Sequence, residues 1–82
     1  MKTLKEWIEL IADDYTRTAA LEKLKKLDDR NAGVAKIEVA SFDQSLLRAF
    51  TWAQVESNES VNFWSKMKSD YDKGIIVLFQ QF

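Results

Sequence analysis

Residues Ser41–Tyr71 read SFDQSLLRAFTWAQVESNESVNFWSKMKSDY. This stretch holds Trp52 and Trp64, three of the chain's five Phe (Phe42, Phe50, Phe63) and Tyr71. Aromatic side chains bury more surface than any others, so a small domain assembles around them. Ser41 with Gln44 fits a capping box at a helix start. Phe42, Leu46, Ala49, Phe50 and Ala53 then fall on one helical stripe, with Leu47 beside it and Trp52 off it. Ser57-Asn58-Glu59-Ser60 supplies a turn and a fresh cap. Val61, Trp64, Met67 and Tyr71 make the apolar face of the next helix, which Phe63 broadens and Gly74 stops. The spacing predicts a helix hairpin with its aromatics between the two arms.

Working upstream, Thr3 to about Asp14 reads as a helix started by a Thr3/Glu6 capping box. Its apolar face is Leu4, Trp7, Ile8, Ile11 and Tyr15, widened by Leu10. A second set, Ala20, Leu21, Leu24 and Leu27, is also helical, but it lies on roughly the opposite side of a continuous helix. A break is therefore expected at Thr16-Arg17-Thr18, with Thr16 or Thr18 capping a second helix that ends near Asp29. One long helix buried on both sides is the alternative. Asp28–Gly33 reads as a loop, where Asn31 and Gly33 tolerate left-handed backbone. Residues 34–39 and 75–79 are rich in β-branched side chains. They are expected to pair as two short strands, or to pack as irregular chain against the helices. The fold class is thus mainly α: one compact four-helix domain over residues 1–82, with a minor two-stranded β pairing of 34–39 with 75–79.

Eighty-two residues, 46% of them hydrophobic and with a net charge of −1, describe a folded chain rather than a disordered one. Compact folding at this size leaves roughly 5,000 Å² of surface. With no Cys, no disulfide can staple so small a domain, and self-association is the support left open. No apolar run reaches the roughly 20 residues of a membrane span. Glu6, Glu9 and Asp13 interrupt any signal-peptide core. A cytoplasmic location is expected.

Chemistry is sparse. Without His or Cys the common nucleophile–base pairs cannot be built, so no enzyme activity, cofactor or metal is expected. Asp13-Asp14 and Asp28-Asp29 are neighbours that diverge on a helix. Glu9 and Asp13, four apart, share a helix face, and a solvated surface is the simpler reading. Asp28–Val39 places Gly33 where a calcium loop has its glycine. Arg30, Ala32 and Val39, however, stand where that loop needs oxygen ligands. Lys23, Lys25, Lys26 and Arg30 are the densest basic cluster and would be the residues of a phosphate-contacting helix. Residues 1–40 carry eight basic and eight acidic side chains, and residues 41–82 carry four and five. That balance argues against nucleic acid as the partner.

The Ala49-Phe50-x-Trp52 and Glu59-Ser60-x-x-Phe63-Trp64 elements resemble a pattern of small bacteriophage-encoded proteins of unassigned function, A-F-x-W, a short turn, then E-G-x-x-F-W. This chain has Ser60 where the pattern has Gly and Asn58 where it usually has Pro. The resemblance implies a phage or prophage origin, and the host cytoplasm as location if the protein is phage-encoded. It implies a regulatory protein that binds and modulates a host or phage protein. A nucleic-acid-binding regulator and a structural or assembly protein are the alternatives. Candidate partner-binding residues are Leu21, Leu24, Leu27, Phe79 and Phe82, the last two because the C-terminal run is the hardest to bury. A homodimer through that run is the expected form of self-association.

Overall fold

Lys2–Thr3 begins the described chain as a two-residue strand, β1, and the computed structural model describes residues 1–79. It continues through α1 (Leu4–Ile8), α2 (Asp14–Arg30), a 3-10 turn (Val34–Lys36), β2 (Glu38–Val39), α3 (Phe42–Ala53) and α4 (Asn58–Asp72). The class is mainly α with a minor antiparallel β pair, as expected. The β partners differ from the expectation. β2 does lie within 34–39, but it pairs with β1, Lys2 opposite Val39 and Thr3 opposite Glu38. Two further bonds fix that pairing. The Leu4 N–H donates to the Ile37 carbonyl at 2.8 Å, and the Trp7 indole N–H donates to the Val39 carbonyl at 2.9 Å.

The Thr3/Glu6 capping box forms in full, with Glu6 N–H on Thr3 Oγ1 and Thr3 N–H on Glu6 Oε1. The helix it starts is short. A break between two helices is present, but at residues 9–13 rather than at Thr16-Arg17-Thr18. Asp13, not Thr16 or Thr18, caps α2, accepting the Thr16 N–H at 2.8 Å. Asp is among the strongest N-cap residues because its carboxylate satisfies a free N–H and faces the positive end of the helix dipole. The same hydrogen bonds from Thr16 hold the Asp13 carboxyl below the usual carboxylate range. That contribution to stability is present at neutral pH and is lost as pH falls through the lowered value. The earlier break turns Tyr15 outward, 85% exposed, where an apolar face was expected. It also separates Glu9 from Asp13, which no longer share a helix.

α2 ends at Arg30. The Gly33 and Ala35 N–H groups both donate to Asp28 Oδ1, at 3.2 and 3.0 Å, which shapes the loop. Gly33 takes φ +98°, the left-handed backbone anticipated for it, whereas Asn31 keeps a negative φ of −132°.

α3 and α4 form the expected hairpin. The Ser41 and Ser57 hydroxyls accept the Gln44 and Ser60 N–H groups at 3.2 and 3.1 Å. Gln44 reaches back to the Ala40 N–H rather than to Ser41, one residue short of a full capping box. Trp64 is fully enclosed and meets Phe63 edge-on, with 5.1 Å between ring centroids. Phe42 on α3 contacts Tyr71 on α4 at 4.7 Å. Lys68 joins the two ends of the hairpin, at 2.7 Å from both Asp43 and Asp72, and these bonds raise its pKa. Around the hairpin, Leu4, Ile8, Ile11, Ala20, Leu24, Leu27, Val34 and Ile76 complete one core. The surface of 5230 Å² matches the compact value expected from chain length.

α4 ends in a Schellman motif. Gly74 adopts φ +76°, its N–H donates to the Tyr71 carbonyl, and the Ile75 N–H donates to the Asp70 carbonyl. The chain then turns along the α1–α2 connection. Residues 75–79 do not reach β2. Instead Leu78 bridges antiparallel to Ile11.

Candidate protein-docking face

The three leucines proposed on α2 do not form a surface. Leu24 and Leu27 are 1% and 0% exposed, and Leu21 is half-buried against the same core. This corrects their assignment as a partner-binding face: Leu24 and Leu27 belong to the chain's own core, and Leu21 packs against it. The part of Leu21 that stays open lines a depression of about 350 Å³ with Lys5, Lys25, Asp28 and Asp29. Phe79 is on the surface, as expected. Phe82 lies outside the described residues.

The basic cluster is divided and partnered. Positions 23 and 25 are roughly 200° apart around a helix, so they face different ways. Lys23 pairs with Glu59 of α4 at 2.9 Å and lies over the Phe63 ring. Lys25 pairs with Asp29 at 3.0 Å. Lys26 and Arg30 flank a shallow depression that also contains Asp29 and Glu56. The Lys23 hydrogen bond, with the charges of Lys23 and Lys26, holds the Glu59 carboxyl below its usual range. Each cation thus stands near an anion, an arrangement suited to joining helices rather than to tracking a row of phosphates. Among the described residues, no three Asp or Glu gather as metal ligands. Asp28 and Asp13 spend their oxygens on backbone N–H groups.

A different surface comes from the C-terminal segment. The Ala12 N–H donates to the Val77 carbonyl at 2.8 Å, and the Phe79 N–H donates to the Leu10 carbonyl at 2.7 Å. With Ile11 opposite Leu78, this register sets Ala12 beside Val77 and Leu10 beside Phe79. Side chains alternate across extended chain. Ile11 and Ile76 point into the core, and Leu78 packs against it. Ile75, Val77 and Phe79 point outward and are 65%, 61% and 55% exposed. Leu10 and Ala12, half-buried, extend the row. The result is a row of outward apolar side chains along this pairing, Leu10, Ala12, Ile75, Val77 and Phe79. Separately, exposed Tyr15 borders a groove with Phe63, Met67, Lys66 and Asp70.

Of this face, the sequence points to the apolar C-terminal run and to Phe79 within it, but not to Leu10 or Ala12. Residues 75–79 are apolar at every position, so no alternation marks which side chains turn outward. Leu10, Ala12 and Tyr15 were assigned to a helix that ends before them. The one local signal is Asp13, a strong N-cap residue type, which accepts a backbone N–H at the start of α2.

Compared with protein-family models, curated proteins and solved structures, the chain has no significant match. No helix among the described residues is long and apolar enough to cross a membrane.

Proposed function

We propose that this chain is a small regulatory protein that works by binding another protein through the face made by Leu10, Ala12, Ile75, Val77 and Phe79. The observation that carries this reading is the outward row Ile75–Val77–Phe79, three large apolar side chains within five residues that are left mostly in water, whereas Met1, Leu47 and Val55 are exposed singly along the chain. Exposed apolar and aromatic side chains of this kind supply the anchors of protein interfaces. The resemblance of residues 49–64 to small phage proteins supports a phage-type regulator of a host or phage protein. The homodimer expected from the sequence would use the same face.

Affinity capture with the full-length chain, followed by reconstitution of the captured pair from purified components, tests this. Val77→Lys changes a side chain outside the core, so the variant should melt within a few degrees of the parent. It should weaken the reconstituted complex by roughly 10–30-fold, the effect of removing one interface anchor. Unchanged affinity in a folded Val77→Lys protein would contradict the assignment of the face. Light scattering at high micromolar concentration decides between partners: a dimer that Val77→Lys dissociates supports self-association, and a monomer removes it.

A further inference from the structure

We propose that residues 75–79 form a displaceable strap, and that the slot it occupies along residues 10–12 receives an extended apolar segment of the partner when the strap lifts. This rests on the protein-binding reading and specifies how the partner engages.

The strap is lightly held. Among the described residues, two main-chain hydrogen bonds tie it to the slot, Ala12 N–H to Val77 and Phe79 N–H to Leu10, while the Ile75 N–H bond to the Asp70 carbonyl anchors its near end to α4. Of its five side chains, Ile76 alone is fully buried and Leu78 is half-buried. Those two side chains and two bonds must offset the entropy of ordering five residues, which makes the closed state only marginally favoured locally. The strap also has a hinge. Gly74, exposed and at φ +76°, is the pivot: the Gly74 and Ile75 N–H bonds to α4 anchor the near end of the strap while residues 76–79 lift.

The slot has a defined chemistry. Lifting the strap frees one donor, the Ala12 N–H, and one acceptor, the Leu10 carbonyl, and uncovers Ile11. An incoming antiparallel strand with apolar residues at alternate positions restores both bonds and refills the places of Ile76 and Leu78. The exchange conserves the main-chain hydrogen bonds, the feature that makes strand addition to a sheet edge favourable. A partner that first meets the outward row reaches the slot once the strap opens.

Amide hydrogen exchange on the full-length protein is the first test. The Ala12 and Phe79 amides should exchange at least roughly 100-fold faster than those of Trp64 and Met67, and with little dependence on denaturant, as local opening does. Identical rates and denaturant dependence would overturn the proposal, because the strap would then open only with the whole fold. The second test is a lock. Ile11 and Leu78 are a non-hydrogen-bonded antiparallel pair, whose close Cα atoms suit a disulfide, and the chain has no other Cys. Oxidised Ile11→Cys/Leu78→Cys protein should slow exchange at Ala12 and Phe79 at least about tenfold, with reversal on reduction. It should also lose at least about tenfold in affinity for the captured partner, again regained on reduction. A locked protein that binds as tightly as the parent overturns the strap and leaves the outward face as the docking surface. Failure of the parent to capture any protein counts against the protein-binding reading instead, while the exchange data still decide whether the strap opens.

Discussion

Trp64→Ala is expected to remove about 3–5 kcal/mol of stability, the usual range for deleting a large enclosed aromatic. Trp64, on α4, is fully buried in the core and in edge-on contact with Phe63. Its removal leaves a cavity that the surrounding core closes only in part. A domain of this size holds about 4–12 kcal/mol in all. At about 4–8 °C per kcal/mol, the loss corresponds to a fall in Tm of roughly 12–40 °C. Trp64→Phe should cost much less. It keeps an aromatic ring, and the indole N–H it deletes has no hydrogen-bond partner among the described residues. Thermal melts of the three proteins check this. A Trp64→Ala protein that melts within a few degrees of the parent would mean that the core is not closed around Trp64.

Leu27→Asp should leave the chain unfolded at 37 °C. Leu27 has no exposed surface on α2. A carboxylate placed there loses its hydration without gaining a cation or an N–H, and a buried unpaired charge costs several kcal/mol even when protonation relieves part of it. The same substitution on an open partner-binding surface would be nearly silent, so the result separates core from interface. Far-ultraviolet circular dichroism suffices. A helical, cooperatively melting Leu27→Asp protein would restore the α2 leucines as a surface.

The hairpin was legible because its determinants are local. Ser41 and Ser57 each cap within four residues of the helix they start, and Phe42, Leu46, Val61 and Trp64 repeat at helical spacing. The α1–α2 break was legible as a change of apolar phase, but its position was not. The apolar spacing runs through Ile11 to Tyr15 without interruption, and what ends α1 at Ile8 is partly non-local. The Leu10 carbonyl and the Ala12 N–H are taken by residues 79 and 77, far along the chain. Strand β1 had no signature either. Two residues become a strand because the Thr3 cap and the Trp7 indole hold them beside β2. The candidate site suffered from the same blindness. An apolar helix face looks alike whether it meets its own core, as Leu24 and Leu27 do, or a partner. A wholly apolar segment such as 75–79 likewise does not announce which of its side chains turn outward.

Alternation along that segment is the claim on which the docking face stands, and a soluble paramagnetic agent measures it residue by residue in methyl-labelled protein. Ile75 and Val77 methyl resonances should be strongly attenuated, Ile76 protected and Leu78 intermediate, following their exposure. Equal attenuation across residues 75–78, or protection of Val77 with exposure of Ile76, would contradict the account.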